Sequence, residues 1–354
     1  MHSSRSLAAA SAAAAFIVLG ACHAPSTPPA SAPRVYVSDE TGTEVVVVDP
    51  VAGKVLQKIA IGKRPRGIKL SPDASRLFVA LSGSPIGGPG VDESKLPPAD
   101  RDADGIGVID VESGSVVRKY KSGQDPESFA VSNDGKTLFV SNEDEAALSV
   151  LDLDSGSVKS QVKVGEEPEG VTVRPDGKVV YVTSEGDGIV TAVDTSTLQP
   201  IARVPTGPRP RSIAFTKDGA TGFITNENGG TLTVFDTATH AVKTTIQLPK
   251  IEGAPMAPRP MGQVVAPDGA RLYVTLGRAK AIAIIDTASL TVVGTITDVG
   301  ARPWGIGISP DGTKLYTANG PSGDVSVVDI ASAKVDARVP VGGSPWGVAV
   351  AAPK

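Results

Sequence analysis

The sequence is poor in the residues that build disulfides, haem sites and hydrolytic triads. Its 354 residues include one cysteine, Cys22, and three histidines, His2, His23 and His240. A single cysteine excludes an intramolecular disulfide. So few histidines argue against haem ligation, a His-based metal enzyme and a Ser-His-Asp triad. A Gly-x-Ser-x-Gly elbow and a phosphate-binding P-loop are also absent from the sequence.

Aromatic residues and positive charge are scarce as well. Aromatic residues make up 4% of the chain, with only two tryptophans, and the net charge is −4. Without a basic surplus, the chain is not expected to bind nucleic acid. Glycine and proline are plentiful, with 39 and 29 residues. They recur at fixed positions of a repeat, which indicates turns rather than low complexity.

The sequence contains seven copies of an aromatic residue followed by a small β-branched or aliphatic one. The copies are Tyr36-Val37, Phe78-Val79, Phe139-Val140, Tyr181-Val182, Phe223-Ile224, Tyr273-Val274 and Tyr316-Thr317. Successive copies are 42, 61, 42, 42, 50 and 43 residues apart. A period of this length in a β-rich chain is typical of a propeller with four-stranded blades.

One repeat unit resolves into four predicted strands. Residues 168–173 form strand A, 179–183 strand B, 189–194 strand C and 201–204 strand D, with a Pro-Asp-Gly turn between A and B. Strand C ends in the same residue in every copy: Asp49, Asp110, Asp152, Asp194, Asp236, Asp286 and Asp329. Seven equivalent aspartates cannot all be catalytic, so we predict that they accept backbone N–H bonds and start the C–D turn.

The order of the repeats predicts how the ring closes. Strand A starts at a proline in every copy: Pro65, Pro126, Pro168, Pro210, Pro260, Pro303 and Pro345. The first B–C–D set has no strand A before it, and the last strand A has no B–C–D after it. We therefore predict an all-β, seven-bladed propeller over residues 34–350, with four-stranded antiparallel blades. The C-terminal strand A is expected to join the N-terminal strands B–D in one blade and so close the ring, and residues 351–354 are expected to be a tail.

The N-terminal residues are predicted to be a targeting segment. Arg5 precedes an apolar, Ala-rich run that is too short for a comfortable membrane span, so residues 1–21 are predicted to be a signal peptide. The Leu-Gly-Ala-Cys ending resembles the lipobox of bacterial lipoproteins, which implies acylation of Cys22; an incidental cysteine is the alternative. His23 in the next position implies sorting to the outer membrane, facing the periplasm, and the Pro/Ser/Ala-rich residues 22–33 are expected to form a tether.

The strand and turn motifs resemble those of the YVTN family of β-propellers over residues 34–350. A closer resemblance is to the propeller subgroup associated with PQQ-dependent catabolism. The segments that carry it include 123–127, 141–145, 167–170, 209–211 and 344–350. The resemblance implies a secreted bacterial accessory protein and no particular reaction. Quinoprotein dehydrogenases use eight blades and Trp-rich motifs, which this sequence lacks, so direct binding of PQQ is not expected. No other cofactor is expected either.

Two repeats are longer than the others. The extra residues lie near 82–104, between strands B and C, and near 249–259, between strands D and A. In a propeller both kinds of connection lie on one face, so this face is predicted to bind the ligand, whether a protein or a small molecule; neutral loop growth is the alternative. The propeller itself is expected to be monomeric.

The residues after the strand-A prolines are predicted to surround the central mouth of that face. They form an uneven rim of both charges with the two tryptophans side by side: Arg66, Glu127, Glu169, Arg211, Met261, Trp304 and Trp346. Arg64, Arg209, Arg259 and Arg302 precede four of the prolines, Asp125 and Glu167 precede two, and the B–C loops add Glu143, Asp144, Glu145, Glu185 and Glu227. The rim is either a ligand pocket with an aromatic platform or a belt of inter-blade ion pairs with packed tryptophans.

The first insertion ends in Asp100, Asp102 and Asp104, followed by Gly105. Alternating carboxylates before a glycine match the start of a Ca²⁺ loop, although the closing glutamate is replaced by Val111. A solvated acidic loop is the alternative.

These patterns predict a non-catalytic binding or scaffold lipoprotein of the cell envelope, and the resemblance implies a role accessory to quinoprotein-linked oxidation in the periplasm. The alternative is a hydrolase of the lactonase type. That alternative requires a raised pKa at Glu127 or Glu169, beside Arg66 or Arg211.

Overall fold

The computed structural model describes residues 33–87 and 91–353, and these form a ring of seven four-stranded antiparallel sheets. In chain order the first fourteen strands are β1 (Arg34–Asp39), β2 (Glu44–Asp49), β3 (Lys54–Ala60), β4 (Pro65–Leu70), β5 (Arg76–Leu81), β6 (Gly105–Asp110), β7 (Ser115–Tyr120), β8 (Pro126–Val131), β9 (Thr137–Asn142), β10 (Ala147–Asp152), β11 (Val158–Lys163), β12 (Pro168–Val173), β13 (Val179–Ser184) and β14 (Ile189–Asp194). The others are β15 (Pro200–Pro205), β16 (Pro210–Phe215), β17 (Thr221–Asn226), β18 (Thr231–Asp236), β19 (Val242–Gln247), β20 (Gln263–Val265), β21 (Arg271–Thr275), β22 (Ile282–Asp286), β23 (Thr291–Ile296), β24 (Pro303–Ile308), β25 (Lys314–Asn319), β26 (Asp324–Asp329), β27 (Lys334–Pro340) and β28 (Pro345–Ala351).

The predicted architecture and its closure are confirmed. Blade 1 consists of β28, β1, β2 and β3, so the last strand completes the first sheet, with Val35 paired to Val350. Blades 2 to 7 are β4–β7, β8–β11, β12–β15, β16–β19, β20–β23 and β24–β27. The only helical elements of the described residues are three short 3-10 turns, and none of them has the length or apolarity to cross a membrane.

Strand A of blade 6 differs from the prediction. Strand β20 begins at Gln263, not at Pro260, and has three residues. In the other blades the proline pairs with the last residue of strand B, as Pro168 does with Ser184. In blade 6 the carbonyl of Leu276 instead accepts the amide of Arg259, one residue before the proline, at 3.1 Å.

The seven aspartates at the ends of the C strands are turn residues, as predicted. Each accepts at least one backbone N–H from the C–D turn; Asp194, for example, accepts those of Ser196 and Thr197 at 2.9 and 2.8 Å. The seven aromatic residues of the repeat are at most 4% exposed and pack between successive sheets. The hydrophobic core is therefore divided among the interfaces between blades.

Strand-B hydroxyls fix the backbone of the rim from one blade to the next. In five blades a strand-B hydroxyl donates to the carbonyl of the rim residue in the following blade: Ser38 to Arg66, Ser141 to Glu169, Thr183 to Arg211, Thr225 to Met261 and Thr275 to Trp304, over 2.5–3.3 Å. The strand-A backbones of neighbouring blades approach so closely that some positions require glycine. At Gly170, for example, a Cβ atom would lie 2.1 Å from the carbonyl oxygen of Arg211. The frame thus sets where the rim side chains start.

Candidate functional site

The mouth of the propeller holds a cavity of about 710 Å³ on the face that carries the insertions. Of the seven predicted rim residues, Glu127, Glu169, Arg211, Trp304 and Trp346 line it. Residues 84–87 of the first insertion form part of its wall together with Leu96, Pro97, Ala99 and Arg101, and Arg259 at the end of the second insertion also borders it. Arg66 and Met261 are 1% and 2% exposed and lie beneath the surface. The structure therefore brings the predicted rim together.

One buried cluster surrounds Arg66 at the junction of blades 2 and 3. Its guanidinium contacts the carboxylates of Asp125 and Glu127 and donates to the carbonyl of Pro126 at 3.0 Å. Burial lowers the pKa of Arg66, and the charge of Asp125 opposes that shift. Arg66 is therefore a bridge between blades, as in the ion-pair belt interpretation.

A second buried cluster surrounds Arg211 at the junction of blades 4 and 5. Its guanidinium contacts Glu169 and Glu185, and its Nε donates to Glu227 at 2.7 Å. Burial alone would lower the pKa of Arg211, but the charges of these three carboxylates outweigh it and raise the pKa. Arg209 lies against the same group, with its Nε 2.6 Å from Glu185. The cluster forms the floor of the cavity in this sector.

The two tryptophans form an aromatic wall of the same cavity. The rings of Trp304 and Trp346 stack with centroids 5.5 Å apart and planes at 22°. The guanidinium carbons of Arg211 and Arg302 lie 5.1 and 4.6 Å from the centroid of Trp304, within cation–π range. Both indoles are half-buried and reach the cavity. The Trp packing of one interpretation and the aromatic platform of the other are thus the same feature.

The carboxyls with raised pKa values are in the B–C loops, not after the strand-A prolines. Burial, followed by the charge of Asp125, raises the pKa of Glu143 to about 7. Burial and the charge of Glu169 raise the pKa of Glu185, although Arg211 and Arg209 oppose the shift. Glu169 is itself buried, yet Arg211 holds its pKa below the ordinary value. The lactonase alternative therefore rests on Glu143, which borders the cavity, and not on Glu169.

The acidic end of the first insertion is not gathered into a metal site. Lys63 contacts Asp100 at 2.5 Å. Asp104 is 5% exposed and turns inward to accept the amide of Gly83 at 2.7 Å. Among the described residues, the one cluster of carboxylates whose oxygen atoms lie close enough to share a metal ion is Asp125, Glu127 and Glu143. The positively charged guanidinium of Arg66 contacts two of these carboxylates, Asp125 and Glu127. Calcium binding at Asp100, Asp102 and Asp104 stays a prediction.

Arg278 is a mouth residue that the sequence patterns did not reveal. It lies on the 3-10 turn Gly277–Ala279, in the B–C loop of blade 6, and lines the cavity. The residue four positions after the aromatic residue of the repeat is glutamate in blades 1, 3, 4 and 5, namely Glu40, Glu143, Glu185 and Glu227, but it is glycine in blades 6 and 7, namely Gly277 and Gly320. This loss of glutamate was the available signal.

Two family models match parts of the chain. A YNCE-like beta-propeller model matches residues 91–178, and a seven-bladed beta-propeller lactonase model matches residues 157–266. The uncharacterized protein YncE of Salmonella typhimurium is 31% identical over 108 residues. That alignment covers 30% of this chain and about a quarter, 25%, of the length of YncE.

Solved structures are similar over nearly the whole ring. The periplasmic gluconolactonase PpgL of Pseudomonas aeruginosa has a TM-score of 0.72 at 21% identity, covering 91% of this chain and 99% of that one. The hydrazine synthase of Kuenenia stuttgartiensis has a TM-score of 0.67 at 21% identity, covering 80% and 89%. Proteins with such different names share the fold alone. The comparisons therefore agree with the structure that this chain is a seven-bladed β-propeller, similar to YncE-like propellers over residues 91–178.

Proposed function

We propose that this protein is a binding module that holds a small polar organic molecule in the mouth of its propeller. The observation that carries the proposal is the cavity of about 710 Å³, walled by the stacked pair Trp304 and Trp346. Ligand sites typically occupy about 300–1,000 Å³ and combine apolar surface with a few converging polar groups. The indole faces provide the apolar surface, and the guanidinium and carboxylate groups around them provide the polar contacts.

The ion pairs below the cavity support binding because they hold the polar groups in place before a ligand arrives. Arg211 and Glu169 are 8% and 9% exposed and contact each other across the junction of two blades. Side chains fixed in this way lose little entropy when a ligand binds. The similarity to a gluconolactonase supports a sugar-derived, hydroxylated ring as the molecule that lies against the tryptophans.

Tryptophan fluorescence tests this proposal directly. Both tryptophans of the chain line the mouth, so fluorescence excited selectively at tryptophan reports on this site alone. Titration with neutral and acidic monosaccharides is expected to give a saturable change. Replacing Trp304 with leucine is expected to weaken binding by about tenfold or more, equivalent to about 1.4 kcal/mol, since the ring loses its stacking surface. The change Val242→Ala on an outer strand is the control; no response to any member of the panel would refute the proposal.

Hydrolysis of a lactone is the second candidate, and Glu143 is the observation that favours it. Its side chain is 35% exposed at the cavity, and its Oε2 lies 4.0 Å from Arg66. With a pKa raised to about 7 by burial and by Asp125, this carboxylate is suited to take a proton from water near neutral pH. As Glu143 takes that proton, the water oxygen adds to the lactone carbonyl. The ring C–O bond then breaks, Glu143 returns the proton to the departing ring oxygen, and a hydroxy acid is released.

A pH-stat assay with glucono-δ-lactone separates the two candidates. A lactonase rate above the uncatalysed background should rise as pH increases through about 7, because the base must be ionised, and Glu143→Gln should abolish it. Glu145→Gln is the matched control, since Glu145 lies on the same 3-10 turn and contacts Gln161 at 3.1 Å. Hydrolysis equal to background in the natural chain leaves the non-catalytic binding module.

The N-terminal predictions lie outside the described residues and become part of the proposal. A lipid anchor on Cys22 would tether the propeller to the outer membrane, facing the periplasm, through residues 22–33. The resemblance of this chain to the propeller subgroup associated with PQQ-dependent catabolism supports a role accessory to quinoprotein-linked oxidation. Mass spectrometry of the mature N-terminal peptide tests the anchor: Cys22→Ser should remove the acyl mass.

A further inference from the structure

Arginines that precede the strand-A prolines follow a pairing rule around the mouth. Three of the four contact a glutamate in the B–C loop of the preceding blade, four residues after the aromatic residue of the repeat. The pairs are Arg64–Glu40 at 3.1 Å, Arg209–Glu185 at 2.6 Å and Arg259–Glu227 at 3.3 Å. Position and partner repeat from blade to blade, so the rule predicts a glutamate partner for any further arginine in this place.

Arg302 breaks the rule. It precedes Pro303 in blade 7, and the position that should supply its partner in blade 6 is Gly277. Across residues 33–87 and 91–353, no carboxylate lies within 4.0 Å of its guanidinium. The blade 6 backbone excludes a glutamate there, because Gly277 has φ of 49° and a Cβ atom would lie 2.6 Å from the carbonyl oxygen of Arg259. Arg302 instead lies over Trp304.

A second guanidinium without a carboxylate lies beside it. Arg278 follows Gly277 and is half-buried. Among the described residues its one polar side-chain contact is with the sulfur of Met256, at 3.6 Å. Arg278, Arg302 and Arg211 all line the same cavity. Burial lowers the pKa of Arg302; the charge of Glu227 opposes that shift, and the charges of Arg278 and Arg211 add to it. Partly buried charges without a counterion are costly. An anion between Arg278 and Arg302 would remove that cost.

We propose that Arg278 and Arg302 form an anion subsite of the mouth, which holds a carboxylate or phosphoryl group while the rest of the ligand lies against Trp304 and Trp346. This inference rests on the proposed function and specifies its ligand as an organic anion. Guanidinium groups suit such ligands because their N–H groups match two anionic oxygens at once. The carboxylates of blades 3 to 5 repel the same group, so the anion is directed to blades 6 and 7.

Three pyranoses that differ at one carbon provide the test: glucose, glucuronate and glucose 6-phosphate. Tryptophan fluorescence with the natural chain should show the carboxylate or phosphate sugar binding about 10–100-fold more tightly than glucose, as expected of a charge-assisted pair. Arg302→Gln should remove that advantage, and Arg278→Gln should reduce it. The matched control Arg64→Gln removes the same charge from the same position of a blade whose arginine is paired, and should preserve it.

The outcomes separate this inference from the proposed function. Equal affinity for all three sugars, or an anion preference that survives Arg302→Gln, overturns the subsite and leaves the binding module intact. Titration with inorganic phosphate covers the case in which only the subsite exists. A fluorescence response to phosphate that Arg302→Gln abolishes, with no response to any sugar, supports the anion subsite and refutes the proposed organic ligand. If neither phosphate nor sugars alter the fluorescence, both are wrong. Thermal melting of each variant identifies one that has simply unfolded.

Discussion

Replacing Arg211 with methionine is expected to reduce the free energy of unfolding by about 3–5 kcal/mol, the usual cost of breaking a buried ion pair. Methionine keeps most of the apolar stem, so the loss comes from the charge. Glu169, Glu185 and Glu227 would then face one another with only Arg209 and Arg259 beside them. Urea unfolding measured by circular dichroism at pH 7 gives the difference.

The effect should depend on pH in a defined direction. Arg211 holds the pKa values of Glu169 and Glu227 below their ordinary values, although burial opposes this. Its contribution is therefore present above the unfolded pKa of about 4.3 and is lost as pH falls through the lower, folded values. Arg76→Met, which breaks the more exposed contact with Asp110, should cost at most about 1 kcal/mol. A similar small cost for Arg211→Met, or one unchanged at pH 3, would contradict the assignment.

Removal of residues 345–354 is expected to abolish cooperative folding or to lower Tm by more than about 10 °C. The deletion takes away β28, leaving β1 with an open edge inside the ring and exposing the core around Tyr36. Open edges also pair with other chains, so aggregation should accompany the loss. Differential scanning calorimetry and light scattering measure both effects.

Two controls separate ring closure from mere shortening. Removing only residues 352–354 should leave Tm unchanged, because Ala352 and Pro353 are exposed and follow the last strand. A synthetic peptide of residues 341–354, added to the shortened chain, should restore much of the lost stability by adding the missing strand. A shortened chain that melts within about 2 °C of the complete one would show that β28 does not close the ring.

The frame could be predicted from the sequence because its signals are local and repeated. Asp194 ends a strand and caps its own turn within three residues, so one copy explains the others. The unpaired strand at Pro345 likewise specified which blade it completes. Blade 6 departed from the pattern at Pro260, where the insertion before it changes which amide bonds to Leu276.

The chemistry of the mouth could be predicted only in part, because it depends on contacts between blades. Glu169 and Glu143 are both acidic rim residues in the sequence, and burial favours the neutral form of both. The charge of Arg211 lowers the pKa of Glu169 in spite of its burial, whereas burial and the charge of Asp125 raise the pKa of Glu143. Arg278 is an arginine in blade 6 alone, so the repeat indicated its loop only through the missing glutamate at Gly277. The number of carboxylates near each arginine becomes known only when neighbouring blades are in place.

The paired arginines take their carboxylate partner from the blade before them, so the charge of each part of the mouth depends mainly on two neighbouring blades. Strand-B hydroxyls and C–D aspartates hold the frame regardless of what the rim side chains are. One glycine, at position 277, is enough to convert a neutralised sector into a cationic one while the other blades keep their pairs. Ligand preference in such a ring can therefore change blade by blade, without any change in the architecture that carries it.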